Sequence, residues 1–92
     1  MKYTKHAQIR LKQRGISQDV VNFILTYGQY IDSYGETKHF VNSNALKFLS
    51  TEYASFVKKY EKQLRSTAIV CKEDVVITAM KITKKIRRGY AH

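Results

Sequence analysis

The stretch Thr67-Ala68-Ile69-Val70-Cys71-Lys72-Glu73-Asp74-Val75-Val76-Ile77-Thr78-Ala79-Met80-Lys81-Ile82 decides how the rest of the chain is read. Two apolar, β-branched runs, Thr67 to Cys71 and Val75 to Ile82, flank Lys72-Glu73-Asp74, which is too polar and tight for anything but a turn. They form an antiparallel pair. On the second strand, alternation puts Val76, Thr78, Met80 and Ile82 on one face and Val75, Ile77, Ala79 and Lys81 on the other. Thr78 and Lys81 therefore point to opposite sides unless a bulge intervenes.

Upstream of this hairpin, Leu46, Leu49, Tyr53, Phe56, Val57, Tyr60 and Leu64 follow three- and four-residue steps, with Lys47, Glu52, Lys58, Lys59 and Lys62 between them. That periodicity predicts one long amphipathic helix capped by Asn44. Further back, Tyr30 to Tyr34 and Thr37 to Val41 are short and rich in β-branched or aromatic residues, separated by Gly35-Glu36, and read as a second hairpin or two extended pieces. At the start, Thr4 caps a helix running through Arg14, Gly15 supplies a left-handed stop, and Ser17 caps a second helix ending near Gly28. The expected class is α+β, a single domain over residues 1–92 with a basic C-terminal tail. Two N-terminal helices and a longer third helix pack on a four-stranded, mainly antiparallel sheet.

Composition narrows the function. With 43% hydrophobic residues, no Pro and four Gly in 92 residues, the chain is not of disordered type. Seventeen Lys and Arg against seven Asp and Glu give a charge of +10, so the expected partner is an anion. A lone cysteine, Cys71, excludes an intrachain disulfide and a Cys-rich zinc site, fits a reducing compartment, and follows an apolar run as a buried, inert thiol would. His6, His39, His92 and Cys71 lack ligand-pair spacing, and no phosphate-binding loop, dinucleotide fingerprint or Gly-x-Ser-x-Gly occurs, so no metal or cofactor is expected. The polar N-terminus and the lack of any run near the ~18 apolar residues of a membrane span point to a soluble cytoplasmic protein.

Charge placement is uneven. After Asp74 no acid occurs, yet Lys81, Lys84, Lys85, Arg87 and Arg88 follow closely, as expected of a strand end and tail that contact phosphates. The bland alternative is a solvated tail that aids solubility. On the first helix, His6, Arg10 and Arg14 are spaced by four residues and stack on one face. Counting about 100° per residue, Arg10 lies between His6 and the Ala7–Leu11 side, which centres the expected inward arc on Arg10. A guanidinium at a core edge needs a carboxylate, carbonyls or a ligand anion. Asp32 or Glu36 could serve as an internal anchor. The sharper reading is a cationic cleft with one proton-exchanging imidazole and two forks shaped for phosphate.

Thr78 has a functional reading as a hydroxyl that orients a phosphate or the imidazole, and an ordinary one as a strand residue. Lys38 and His39 project into the site or face solvent. Among the aromatics, Phe23, Phe56 and Tyr60 fall on apolar faces, which leaves Tyr3, Tyr30, Tyr34 and Tyr90 as candidate exposed surface for stacking on unpaired bases.

Thr4-Lys5-His6-Ala7 through Arg10, Arg14-Gly15-Ile16-Ser17, Tyr27-Gly28 and Asp74-Val75-Val76-Ile77-Thr78-Ala79 together resemble a family of small bacterial, plasmid and phage proteins catalogued as a domain of unknown function. That family looks like a branch of the compact ribonuclease fold of barnase, EndoU, colicin-type tRNases and RelE-type toxins, from whose smallest members the long third helix departs. The resemblance implies that His6, Arg10 and Arg14 match helical site positions, Gly15 a turn and Thr78 a strand hydroxyl. The function it implies is a metal-independent, toxin-like endoribonuclease acting on RNA or the ribosome, with an acidic antitoxin as a further partner. In that chemistry His6 is the acid or base, Arg10 and Arg14 hold the phosphate, and Thr78 orients a reacting group. Lys38, His39, Lys81, Lys84, Lys85, Arg87 and Arg88 bind the nucleic acid. The alternative is a non-catalytic nucleic-acid-binding module using the same basic surface, with the first two helices in helix-turn-helix outline.

Overall fold

Short hydroxyl side chains start helices by accepting from backbone N–H groups that have no helical partner. In the computed structural model, which describes residues 2–82, Thr4 Oγ1 accepts from the Ala7 N–H at 3.0 Å and opens helix α1 (Lys5–Gln13). Ser17 Oγ does the same for Val20 at 3.2 Å, opening α2 (Gln18–Tyr27). Gly15, at φ +65°, turns the chain between them, and the Ile16 N–H closes on the Leu11 carbonyl at 2.9 Å. At Gly28 a close approach rather than a turn demands glycine. A β-carbon there would sit 2.5 Å from the Ile24 carbonyl oxygen and 2.6 Å from that of Phe40.

From Gly28 the chain enters β2 (Gln29–Ser33) and β3 (Glu36–Phe40), an antiparallel hairpin closed by Tyr34 (φ 52°) and Gly35 (φ 79°). The second expected hairpin is present as β4 (Thr67–Lys72) and β5 (Val75–Lys81). Its turn places Glu73 at φ 50° and Asp74 at φ 64°. Two adjacent positive-φ residues give the twist that a two-residue hairpin needs, but without glycine each costs about 1 kcal/mol or more.

The expected third helix is two helices. Asn42, not Asn44, is the cap, its Oδ1 accepting from the Ala45 N–H at 2.7 Å, and α3 (Ser43–Glu52) stops at Tyr53 (φ −129°, ψ 49°) before α4 (Ala54–Ser66) begins. A straight helix over both segments would be about 36 Å long, more than the 33 Å longest extent of the described fold. Leu46 and Leu49 of α3 and Val57 and Leu64 of α4 are all buried. The apolar steps therefore stay in phase across the break, which is why periodicity does not reveal it. Tyr60 also leaves helical geometry (φ −114°, ψ 16°) within α4.

The sheet is corrected too: it is five-stranded and mixed, in the order β1-β5-β4-β3-β2, because Lys2–Tyr3 forms β1, parallel to β5. Two residues carry no readable alternation. The pairing comes from tertiary contact, sealed where the Thr4 N–H donates to the Val76 carbonyl at 3.0 Å. The fold is α+β with four helices on this mixed sheet.

The helices cover one face. Ala7 and Leu11 of α1, Val20, Val21 and Ile24 of α2, and Leu64 of α4 bury against Ile69, Val76 and Ala79. On the other face Phe40 and Ala68 are fully buried with Ile31, Met80 and Ile82 beside them. A fully buried ring such as Phe40 contributes about 1.5–3 kcal/mol. Val70 pairs with Thr78 but Cys71 with Val76, so Ile77 is the extra residue of a bulge. The bulge moves Val76 onto the helical face with Ala79 and leaves Thr78 on the opposite one, correcting the simple alternation. Among the described residues no helix is long and apolar enough to cross a membrane.

Candidate functional site

Helical periodicity and burial together orient α1. Ala7 is 0% and Leu11 7% exposed, whereas Ile9 is 47% exposed, so the inward arc is centred on Ala7 and Leu11. This corrects the expectation that Arg10 is its centre. Arg10 is half-buried at the edge of the packed face, with His6 and Arg14 exposed above and below it on the same flank. On the other flank Gln8 and Lys12 border a separate groove with Tyr3, Leu11, Ile16 and Gln18, where the Gln18 amide donates to the Tyr3 hydroxyl.

The anchoring expectation turns on what these cations touch. The side chains of His6, Arg10 and Arg14 make no hydrogen bond or ion pair among the described residues, and neither Asp32 nor Glu36 reaches an arginine. Arg65 and Glu61 of α4, by contrast, pair at 2.9 Å on the surface.

Because Thr4 bonds Val76 and Ile77 near the start of β5, while Arg14 shares a cavity with Lys81 at its end, α1 runs alongside β5 in the same direction. Arg14 and Lys81 line one cavity of about 250 Å³ with Ile16, Gln63, Ser66 and Thr67. Lys81 reaches it because it pairs with Thr67, a residue of the helix-facing set. Gln63, which sequence reasoning passed over, also borders this cavity, and its Oε1 is buried without a hydrogen-bond partner among the described residues. Its position on the flank of α4 toward α1 was not readable from periodicity, since it depends on how the two helices are set on the sheet.

Thr78 does not join this group. It lies on the face of the sheet away from α1, where Ile31, Lys38, Val70 and Thr78 form one cross-strand row, and among the described residues its hydroxyl bonds the Ala79 carbonyl alone, at 3.4 Å. Lys38 and His39 point to opposite faces, as neighbours on a strand must. His39 faces a second cavity of about 330 Å³, lined by Tyr30, Asp32, Thr37, His39, Cys71, Glu73 and Asp74. There its Nε2 and the Thr37 hydroxyl are 2.8 Å apart, and Tyr30 stacks obliquely on its ring at 5.5 Å. Burial lowers the imidazole's pKa, with Asp32 pulling partly the other way. The Cys71 thiol is pushed up, first by burial and then by Asp74, and so stays neutral. Three carboxylates beside this cavity make it a poor seat for phosphate.

Of the aromatic candidates, Tyr30 and Tyr34 are exposed and Tyr3 packs against the core. Tyr27 and Tyr53, which helical periodicity places on apolar faces, are instead exposed at the edge of the Phe23–Phe56–Tyr60 stack and joined through their hydroxyls at 2.8 Å. Lys84, Lys85, Arg87, Arg88 and Tyr90 lie outside the described residues. Among the described residues no group of three or more His, Cys, Asp and Glu side chains is placed to hold a metal ion.

Residues 3–81 match the model of a family described as Domain of unknown function (DUF4258). No curated protein and no solved structure matches the chain.

Proposed function

The chain belongs to the family Domain of unknown function (DUF4258), whose description carries no activity, and from the chain's own geometry we propose that it is an RNA-directed, metal-independent endoribonuclease of toxin-like type. The observation that carries this reading is the cationic flank of α1, whose side chains have no partner among the described residues and which ends with Arg14 and Lys81 on one cavity. Buried or half-buried guanidinium groups without an internal carboxylate are suited to an external anion, and Arg matches phosphate with two parallel donors.

Residues four apart on a helix rise about 6 Å, so the flank presents two successive anion positions rather than one. His6 and Arg10 serve the reacting phosphate, and Arg14 with Lys81 holds its neighbour along the strand. Cleavage moves the ribose 2′-OH proton to a base as the oxygen attacks phosphorus. The P–O5′ bond then breaks, and the leaving oxygen takes a proton, giving a 2′,3′-cyclic phosphate and a 5′-hydroxyl. His6 supplies one of these proton transfers, since imidazole is the side chain that exchanges protons near neutral pH. Arg10 offsets charge developing on the phosphoryl oxygens. The kinship with the barnase, colicin and RelE-type fold, and an acidic antitoxin that would cover the same flank, belong to this proposal. Thr78 has no part in it, because the sheet lies between its side chain and the flank.

The test is incubation of pure protein with end-labelled RNA in the presence of a chelator. Fragments ending in a cyclic phosphate, absent with His6→Ala, support the reading. Salt-sensitive binding without fragments identifies a non-catalytic RNA-binding module instead.

A further inference from the structure

The cavity beyond Arg14 gathers donors from three elements. Arg14, Lys81 and Thr67 all line it, and none of their side chains makes a hydrogen bond or ion pair among the described residues. Burial separates them by depth. Thr67 is 4% exposed, which places its hydroxyl at the floor, while Arg14 and Lys81 are exposed and stand at the mouth. The fold fixes this arrangement, since Thr67 and Lys81 are cross-strand partners at the first residue of β4 and the last of β5, and α1 ends beside them. A hydroxyl so buried is costly without a partner. Competing groups are closed off. The Ser66 hydroxyl donates to the Lys62 carbonyl at 2.8 Å, the Ser66 carbonyl accepts from the Ile82 N–H at 2.9 Å, and Gln63 Oε1 is buried out of a ligand's reach. After Asp74 the sequence has no Asp or Glu that could supply a carboxylate.

The ligand that fits is an oxyanion with several acceptor oxygens. A phosphate diester inside a strand carries a single charge and a pair of free oxygens, whereas a terminal monoester carries about −1.5 to −2 charge and three acceptor oxygens. Two cations and a hydroxyl match the second. A group that must reach a donor on the floor also enters end-first, and a volume of about 250 Å³, below the roughly 300–1,000 Å³ of pockets for drug-sized ligands, suits the tip of a strand rather than a nucleotide with its base. We infer that this cavity binds the terminal phosphate monoester of an RNA strand: Arg14 and Lys81 neutralise its charge at the mouth, and the Thr67 hydroxyl donates to the oxygen that reaches the floor. This rests on the proposed RNA-directed reading and names its substrate class, a phosphorylated RNA end. The phosphate next to the one held by His6 and Arg10 is then the last of the strand, and the bond cut is the first inside that end. Thr67 acts in binding and takes no part in bond breaking.

The test measures binding of full-length His6→Ala protein, whose changed residue lies at the far end of α1 from this cavity, to three RNA strands: one with a 5′-phosphate, one with a 3′-phosphate, and one a nucleotide longer with hydroxyl ends. All three carry the same number of phosphates and differ in whether one of them is terminal. At least one phosphorylated strand is expected to bind about tenfold more tightly than the hydroxyl-ended one, the worth of one hydrogen bond to a charged group. Adding Thr67→Val, which keeps the branched shape and removes the donor, should abolish that preference and leave binding of the hydroxyl-ended strand unchanged. Equal binding of all three strands overturns the end reading and leaves the RNA-directed reading standing, and a preference that survives Thr67→Val overturns it as well. Failure of every strand to bind at low salt overturns the proposed function itself. The comparison of strands does not depend on how well the Thr67 variant folds.

Discussion

The two ends of the sheet are built from the same strands and carry opposite charge. Both hairpin tips lie at one end, where Asp32, Glu36, Glu73 and Asp74 gather four of the chain's seven acids. At the other end β5 finishes at Lys81 beside Arg14, with no acid among the residues lining that cavity. The seven residues of β5 span about 23 Å, while charges are screened over about 8 Å at physiological salt. The ends therefore act independently. Among the described residues the charge is therefore not a uniform coat: the end of β5 at Lys81 favours an anion and the hairpin tips disfavour one. An imidazole is found near each kind of neighbour. His39 is held by Thr37 beneath Tyr30 and beside carboxylates, whereas His6 is exposed on a flank whose arginines have no partner among the described residues.

The largest expected effect breaks the comparison outright. His6→Ala should lower RNA cleavage by about 10²–10⁴-fold with less than about a twofold change in binding, read by gel and anisotropy. If His39→Ala does this instead, the catalytic assignment belongs to the acidic cavity. Next, the Arg14→Ala/Lys81→Ala pair should weaken RNA binding about tenfold and flatten the salt dependence by about 0.7 in log–log slope, the value for the one phosphate no longer neutralised. An unchanged slope would place the strand elsewhere.

Smaller effects sharpen the description of the acidic end. Asp74→Gly relieves a positive-φ residue and should stabilise the fold by about 1 kcal/mol in urea titration while leaving RNA binding unchanged. The least effect concerns His39. Its folded pKa is lowered, chiefly by burial, so the unfolded chain takes up the proton first as pH falls below about 6.5. Stability is complete above that pH and declines as pH drops toward the folded value. His39→Asn should remove this slope, and a variant whose stability keeps the same decline would assign it to another group.

How much was legible differs from element to element. Thr4, Ser17 and Gly15 announced their helix ends because capping acts within a few residues. The β4–β5 hairpin likewise followed from alternation and turn chemistry, whereas the β2–β3 segment read as a hairpin or two extended pieces and the structure decided for the hairpin. The break at Tyr53 was hidden because the core-facing steps stay in phase through it, and β1 was hidden because two residues have no period. At the site, the four-residue spacing of His6, Arg10 and Arg14 was enough to put them on one flank. Thr78 was grouped with them by resemblance and is separated from them by the sheet.

Local spacing and composition, by themselves, determined the starts of α1 and α2, the β4–β5 hairpin, the basic character and the shared flank of the three α1 side chains, because each depends on neighbours within one or two turns. Only the tertiary structure decided that Lys2–Tyr3 joins β5, that a bulge at Ile77 moves Val76 while Thr78 stays away from α1, and that Arg14, Lys81 and Gln63 share a cavity. Those three side chains come from elements far apart in the chain, and their meeting depends on how α1 and α4 are set against the same sheet end, a geometry no local pattern encodes.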